Sequence, residues 1–215
     1  MTASELDRRA HRVLLPGFVG TTAPDWLLRR AERGLGGVVL FARNVTDPDQ
    51  VSALAASLRG VRPELLVAVD EEGGDVTRLE ARSGSSYAGA AALGAADDVD
   101  LTRAVSAGIG AMLAGCGVDW TLAPVADVNS NPHNPVIGVR SFGADPELVA
   151  RHVAAAVRGL QDDAGILACA KHFPGHGDTA VDSHLGLPVV AASPTELRTT
   201  HLAPFRAAID AGVAT

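Results

Sequence analysis

The most constraining feature of this chain is a repeated order of segments: an alanine-rich helical stretch, a glycine, and an apolar run that turns polar at its far end. Glycine after a helix commonly adopts the left-handed conformation that ends the helix. Such a glycine precedes the apolar runs 38–41, 118–125 and 166–170, and Gly212 precedes Val213 in the same way. Strands that alternate with helices and are apolar almost throughout predict a parallel sheet with helices on both faces.

Helix starts support this alternation. Asp47-Pro48, Asp145-Pro146 and Ser193-Pro194 each place a capping side chain before a proline, which suits the first turn of a helix. These signals predict strands near 12–19, 37–42, 65–70, 119–127 and 166–171. They predict helices near 24–34, 48–59, 97–116, 146–164 and 194–211.

Two α/β architectures contain such a sheet: the closed eight-stranded (β/α)8 barrel and the open doubly wound sheet. Both gather active residues at the carboxyl ends of their strands. The sequence contains neither G-x-G-x-x-G nor G-x-x-x-x-G-K-[ST], the glycine-rich motifs that hold phosphates in open sheets. The barrel is therefore favoured.

Composition limits the classes of function. A chain of 215 residues with 47% hydrophobic residues is long enough to bury the core of one domain. The net charge of -7, with scattered Lys and Arg, argues against nucleic-acid and anionic membrane partners. Residues 1–12 lack the apolar core of a secretion signal, and no apolar run is long enough to span a bilayer. We expect a cytoplasmic protein.

The segment from Lys171 to His184 is where we expect the chemistry. Its fourteen residues hold one lysine, two aspartates and three of the seven histidines, directly after the apolar run 166–170. Asp70 and Asp127 follow two other apolar runs. Because parallel strands direct their carboxyl ends to one edge, these charged residues are expected to share a rim of the sheet.

Two further polar segments favour ligand binding. Residues 70–78 combine several carboxylates with the pair Gly73-Gly74 and close on Arg78. Carboxylates with so little counter-charge suggest a metal or a polyhydroxylated ligand. Residues 129–143 form a long connection rich in amides, and loops of that length are commonly binding loops.

Four motifs in these segments resemble one family, the glycoside hydrolase family 3 β-N-acetylglucosaminidases. The motifs are Val69-Asp70 with Glu72-Gly73-Gly74 and Arg78-Leu79, then 123–128, 138–143, and 171–177 with Asp182-Ser183-His184. They run in order along the whole chain, and the last is the most specific. The chain has Glu71 where the family usually has Gln and Asp75 where it often has Arg, and no role is carried onto either position.

The resemblance implies a single N-terminal-type catalytic domain over residues 1–215, on a (β/α)8 barrel. It implies retaining hydrolysis of terminal β-linked N-acetylglucosamine from cell-wall muropeptides, with a small carbohydrate as the partner and without a cofactor or metal. By the same resemblance the sugar is held by five residues: Asp70, Arg78, Arg140, Lys171 and His172. His184 and Asp182 are the implied acid/base pair.

A retaining mechanism also needs a carboxylate nucleophile. The resemblance places that residue on a later strand, beyond Thr215. The predicted elements make five βα units and the opening of a sixth strand, whereas a closed barrel has eight. We therefore expect an incomplete barrel and little or no activity from the 215-residue chain alone.

A histidine acid/base group leaves the acceptor open. Its ordinary pKa near 6.5 suits proton transfer at neutral pH, and an adjacent carboxylate favours the imidazolium. Because a histidine does not repel an anion as a carboxylate does, phosphorolysis remains an alternative to hydrolysis.

Two other functions also remain open. One is a metal-dependent barrel hydrolase that uses His172, His176, Asp178 and His184 as ligands. The other is a truncated, non-catalytic protein that binds the sugar without turnover. His176 and Asp178 have a structural interpretation too, in which they only shape their loop through backbone hydrogen bonds. The histidines at 133, 152 and 201 are expected on the surface or on helix faces.

Overall fold

A computed structural model describes residues 3–182 and 184–215. The four strands are β1 Gly37–Leu40, β2 Leu66–Val69, β3 Trp120–Thr121 and β4 Leu167–Ala168. The helices are α1 Ala3–Arg12, α2 Asp25–Glu32, α3 Pro48–Val61, α4 Ala90–Ala96, α5 Val99–Gly115, α6 Pro146–Arg158, α7 Pro194–Glu196 and α8 Ala203–Asp210. Short 3-10 turns cover Ala42–Asn44 and Gly138–Arg140, and π-helical turns cover Gly159–Asp163 and Leu197–His201.

The strands form one parallel sheet in the order β1-β2-β3-β4. β1 pairs with β2 over four residues, from Gly37 opposite Leu66 to Leu40 opposite Val69. β3 pairs over two residues with β2 and over two with β4. The predicted parallel α/β class is confirmed. Within the part of the chain that the structure describes, β1 and β4 are the outermost assigned strands. Thr215, where a sixth strand was predicted to open, hydrogen-bonds beside β4: its N–H donates to the Ala168 carbonyl at 3.2 Å, and its carbonyl accepts from the Ala170 N–H at 3.1 Å.

The predicted strand at 12–19 is wrong. The segment after α1 runs beside β1 and accepts hydrogen bonds from it: the Gly37 N–H donates to the Leu14 carbonyl at 3.3 Å, and the Val39 N–H donates to the Pro16 carbonyl at 3.2 Å. Pro16 has no N–H with which to continue a ladder. The described residues therefore contain four strands, and the count of five βα units is corrected to four.

The predicted strand at 119–127 is much shorter in the structure. Regular pairing ends at Thr121. Pro124 cannot donate a hydrogen bond to a neighbouring strand, and pairing reappears only as an isolated bridge between Val125 and Lys171. Residues beyond Thr121 nevertheless continue toward the carboxyl edge, which brings Asp127 to the same rim as Lys171.

Four predicted helices are confirmed to within a few residues, as α2, α3, α5 and α6, and α6 continues into the π-helical turn that ends at Asp163. The fifth, at 194–211, is divided into α7, a π-helical turn and α8. Pro204 lies in the first turn of α8, where its missing N–H is tolerated. Inside one continuous helix over 194–211 the same proline would interrupt the backbone hydrogen bonds, so the segment is divided. The sequence signals did not predict α1 or α4.

Two of the predicted helix caps form, and the sheet packs into one apolar core. The Asp47 side chain accepts from the Gln50 N–H at 2.8 Å, and the Asp145 side chain accepts from the Glu147 N–H at 2.9 Å, as predicted. Val38, Val67 and Val69 of the sheet are fully buried in one apolar core. Each such side chain stabilises the fold by about 1.5–3 kcal/mol. Among the described residues, no helix is both long and apolar enough to cross a bilayer.

Candidate active site

A cavity of about 300 Å³ opens at the carboxyl edge of the sheet. Asp70 follows the last residue of β2, and Lys171 follows β4 by three positions. The cavity is lined by Asp70, Glu72, Val76, Arg78, Val136, Arg140, Lys171, His172, His176 and His184. It therefore brings together the five residues predicted to hold a sugar and the predicted acid/base histidine.

The charged groups of the cavity form a continuous network. Lys171 Nζ lies 2.7 Å from Asp70 Oδ1 and 2.6 Å from Glu72 Oε1. Arg78 Nη2 lies 3.8 Å from Asp70 Oδ2, at the limit of an ion pair. Asp70 thus faces two cations while keeping carboxylate lone pairs for a ligand.

Glu72 was not predicted as a site residue, although it lies within the acidic segment. Arg140 donates to both of its oxygens, from Nη2 to Oε1 at 2.8 Å and from Nε to Oε2 at 2.9 Å. Burial alone would raise the pKa of Glu72, but the hydrogen bonds and charges of Arg140 and Lys171 outweigh burial and lower the pKa. An ionised Glu72 therefore sits between the two cations.

Asp127 is a second residue that the predicted site did not include. It is fully buried, and its Oδ2 lies 2.6 Å from His172 Nδ1. Its Oδ1 accepts from the His176 N–H at 2.6 Å and from the His172 N–H at 3.3 Å. The carboxylate thus holds the His172 ring by Nδ1 and leaves Nε2 toward Arg140, whose Nη2 lies 3.4 Å away. The sequence signal that could have identified Asp127 as a site residue was its position directly after an apolar run.

The loop beyond His172 is shaped by side-chain contacts to its backbone. Asn134 Nδ2 donates to the His176 carbonyl at 2.7 Å, and His176 Nδ1 lies 2.6 Å from the Thr179 hydroxyl. Ser130 donates to Asp178 at 3.0 Å. Burial lowers the pKa of His176. These contacts agree with the structural interpretation of His176 and Asp178.

The predicted acid/base pair lies beside the cavity. His184 Nδ1 is 2.8 Å from Asp182 Oδ1, and the same oxygen accepts from the His184 N–H at 2.8 Å. The backbone N–H and the ring of His184 lower the pKa of Asp182. The His184 side chain is 81% exposed and lines the cavity, whereas Asp182 is not among the lining residues. Ser183, between them in the last motif, lies outside the described residues.

The metal-dependent alternative gains no support from this geometry. Throughout residues 3–182 and 184–215, no three His, Cys, Asp or Glu side chains converge as a metal site. Of the proposed ligands, Asp178 accepts from Ser130, His172 contacts Asp127, and His176 contacts Thr179.

The other expected positions have mixed outcomes. Glu71 is fully buried, and Asp75 lines a smaller neighbouring cavity of about 240 Å³. His133 is exposed, whereas His152 and His201 are buried. The His152 ring lies 2.7 Å from the Thr102 hydroxyl and 3.3 Å from Asp97.

A larger cavity of about 470 Å³ involves α5, α6 and α8 and shares no residue with the charged site.

Comparisons with known proteins agree with the motifs. Residues 22–215 match the model of the glycosyl hydrolase family 3 N-terminal domain. Beta-hexosaminidase A of Pseudoalteromonas piscicida is 40% identical over 202 residues, which cover 89% of this chain and 33% of that protein.

Two solved structures are similar in fold and sequence. A glycoside hydrolase family 3 beta-N-acetylglucosaminidase from Paenibacillus sp. str. FPU-7 has a TM-score of 0.91 and 44% identity, covering 97% of this chain and 40% of that one. NagZ from Neisseria gonorrhoeae, in complex with N-trifluoroacetyl-D-glucosamine, has a TM-score of 0.85 and 34% identity, covering 94% of this chain and 61% of that one.

The chain thus spans between a third and about three fifths of the length of these three relatives. The match to the family model nevertheless runs through all four motifs and the whole charged cavity. This chain belongs to glycosyl hydrolase family 3, whose N-terminal domain it matches over residues 22–215.

Proposed function

We propose that this chain supplies the sugar-holding groups and the acid/base pair of a (β/α)8-barrel β-N-acetylglucosaminidase. The reaction is retaining hydrolysis of terminal β-linked N-acetylglucosamine from cell-wall-derived glycosides. The observation that carries the proposal is the convergence of Asp70, Arg78, Arg140, Lys171, His172 and His184 on one 300 Å³ cavity. A cavity of this size accommodates a small polar ligand such as one pyranose ring.

The chemistry of the lining suits an N-acetylated sugar. Asp70 offers acceptor oxygens to hydroxyl groups, and Lys171 and the arginines offer donors to hydroxyl and acetamido oxygens. His172, held at Nδ1 by Asp127, presents Nε2 to the cavity side. In this proposal the ion pairs within the cavity keep these groups in place before the sugar arrives.

Proton transfer is assigned to His184. Because its Nδ1 contacts Asp182, Nε2 is the ring nitrogen free to exchange a proton with the glycosidic oxygen. Asp182 orients the ring and stabilises the imidazolium, which protonates the leaving group. In the first step a carboxylate nucleophile would displace the protonated leaving group from the anomeric carbon. In the second step the neutral imidazole would take a proton from the water that displaces this nucleophile, or a phosphate anion would displace it instead.

The nucleophile of a retaining mechanism is not assigned to any residue of this chain. Asp70 and Glu72, the carboxylates that line the described cavity, are both in ion pairs with Lys171. This pairing favours a second candidate function, sugar binding without turnover by this chain.

Ligand binding and turnover together test the proposal. Titration calorimetry should show that the chain binds N-acetylglucosamine more tightly than glucose, and that Arg140→Ala weakens this binding. Release of 4-nitrophenol from its N-acetyl-β-glucosaminide, with and without phosphate, then separates hydrolysis, phosphorolysis and binding alone. A chain with no preference for the N-acetylated sugar would contradict both candidates.

A further inference from the structure

Glu71 is a buried carboxylic acid that the proposed mechanism does not use. It lies between Asp70 and Glu72 in sequence, and both of these neighbours line the cavity. Glu71 itself is fully buried and does not line the cavity. A fully buried acid within the binding segment therefore requires a separate explanation.

The Glu71 side chain contacts the far end of its own loop. Its Oε2 accepts from the Arg78 N–H at 2.8 Å and from the Leu79 N–H at 3.1 Å. Residues 71 and 78 are thereby joined across a tight turn in which Gly73 bridges to Val76. The carboxyl group closes the base of this loop.

The Glu71 backbone fixes the same point to the sheet. Its N–H donates to Thr121 Oγ1 at 3.3 Å, and the Thr121 hydroxyl donates to the Glu71 carbonyl at 2.9 Å. Thr121 is the last residue of β3 and is fully buried. Glu71 therefore links the sheet, the start of the loop and the backbone of Arg78.

We propose that Glu71 is a positioning residue for the sugar site, because its carboxyl group holds the Arg78 backbone so that the guanidinium stays opposite Asp70. This inference rests on the proposed function, which gives Asp70 and Arg78 to the sugar. Arg78 Nη2 lies 3.8 Å from Asp70 Oδ2, so a shift of the Arg78 backbone would carry the guanidinium away from this carboxylate. Loss of the acceptor would leave the Arg78 and Leu79 amides without their carboxyl partner and release this end of the loop.

The positioning role does not depend on the protonation state of Glu71. Burial raises the pKa of Glu71, against the opposing effects of the Thr77 side chain and the Arg78 and Leu79 N–H groups, and the charge of Glu80 raises it further. Asp70 and Glu72 flank Glu71 in the sequence, and the charge of Glu71 contributes to the raised pKa of Cys116. Ionised or neutral, the carboxyl group accepts both amide hydrogen bonds through Oε2.

The test compares Glu71→Met, which removes the acceptors at similar length, with Glu71→Gln, which keeps one. Glu80→Met is the matched control, because Glu80 also accepts a backbone N–H, from Ser86 at 2.7 Å, but lies outside the cavity lining. Calorimetry measures binding of N-acetylglucosamine to each full chain. Hydrogen exchange measures the protection of the Arg78 and Leu79 amides.

We expect Glu71→Met to weaken binding roughly tenfold and to speed exchange at both amides. Glu71→Gln should restore most of each property, and Glu80→Met should leave sugar binding unchanged. The double variant Glu71→Met/Arg78→Ala should bind no more weakly than Arg78→Ala alone, because both changes remove the same contact. Thr121→Val, which removes only the link to the sheet, provides a milder variant with the same direction of change if Glu71→Met does not fold.

Unchanged amide protection in Glu71→Met, or fully additive losses in the double variant, would overturn the inference. A wild-type chain that binds no N-acetylglucosamine, or an Arg78→Ala chain that binds it normally, would contradict the proposed function instead. In that case amide exchange still decides whether Glu71 holds the Arg78 backbone.

Discussion

Glu72 and Arg140 are joined by a two-point ion pair, with 2.8 Å between Oε1 and Nη2 and 2.9 Å between Oε2 and Nε. The same Glu72 Oε1 lies 2.6 Å from Lys171 Nζ. One carboxylate thus sets the spacing between two cations that come from different loops. Under the proposed function, both cations contact the sugar.

Glu72→Gln should weaken the binding of N-acetylglucosamine by roughly tenfold to a hundredfold. The amide cannot accept two charge-assisted hydrogen bonds from Arg140, and it leaves two cations of like charge without the carboxylate between them, a loss of about 1.4–2.7 kcal/mol. Calorimetric titration of both chains measures the change.

Asp163→Asn provides the control for this experiment. Asp163 forms an equally regular two-point pair with Arg103, at 2.7 Å for each bond, but this pair is exposed and lies outside the cavity lining. Exposed ion pairs contribute little to stability. Equal loss of sugar binding in the two variants would contradict a specific role for Glu72.

Asp182→Asn should lower kcat by at least about tenfold with little change in KM. The neutral amide cannot stabilise the protonated ring of His184 as the carboxylate does, which slows proton transfer. KM changes little because Asp182 is not one of the residues proposed to hold the sugar. The measurement is turnover by the full natural protein and by its Asp182→Asn variant. The loss should be larger for an alkyl leaving group than for 4-nitrophenol, since a good leaving group has little need of a proton. A loss independent of the leaving group would contradict the acid role.

Glu71→Gln should change how stability depends on pH. Burial raises the pKa of Glu71 above its ordinary 4.5, so the contribution of this acid to stability is fully present below that pH and is lost as the pH rises through the raised value. Glutamine does not ionise. Urea unfolding at pH 4 and pH 8 should therefore show the wild type losing stability relative to Glu71→Gln at the higher pH.

Glu196→Gln supplies a control of opposite sign. The Ser193 backbone and side chain lower the pKa of Glu196, so its contribution is present at neutral pH and is lost as the pH falls through the lowered value. This variant should therefore be the less stable chain at pH 8 and approach the wild type in acid. A Glu71→Gln profile parallel to the wild type would show that Glu71 ionises at its ordinary pKa.

Much of this site could be predicted because strand ends meet at one rim in a parallel sheet. The positions of Asp70, Lys171 and His172 follow from apolar runs that end in charge. Arg78 and Arg140 lie in connections with no such geometry, so their inclusion depended on motif resemblance. The structure places all of them on the cavity.

Glu72 and Asp127 show what the sequence pattern could not supply. The partner of Glu72 is Arg140, 68 positions away, and the partners of Asp127 lie on the other side of α6 in the sequence. Such pairings depend on how loops approach each other, and local periodicity carries no information about this approach. The strand predicted at 12–19 is wrong for a local reason: its apolar residues favour a strand, but Pro16 lacks the N–H that a ladder needs.

Asp127→Ala should lower the free energy of unfolding by about 3 kcal/mol, because it removes a fully buried carboxylate that His172 and two backbone N–H groups contact. Denaturant unfolding measures the loss. Asp163→Ala, at an exposed ion pair, should cost less than about 1 kcal/mol. Losses of similar size in the two variants would show that Asp127 does not hold the loop that contains His172 and His176.

Gly177→Ala should destabilise the fold by about 2 kcal/mol or more and weaken sugar binding, because the loop that follows Lys171 leaves no room for a side chain there. A Cβ atom at Gly177 would collide with the carbonyl oxygen of Val128, one residue beyond Asp127. Backbone atoms cannot yield as a flexible side chain can, so His176 would move relative to Asp127.

Gly60→Ala is the matched control: Gly60 lies in α3, and a Cβ atom there meets nothing within 4 Å. Alanine is the better helix former, so this control should stabilise the chain by about 0.5–1 kcal/mol. Denaturant midpoints that shift in the same direction for both variants would contradict the close packing of the loop against Val128.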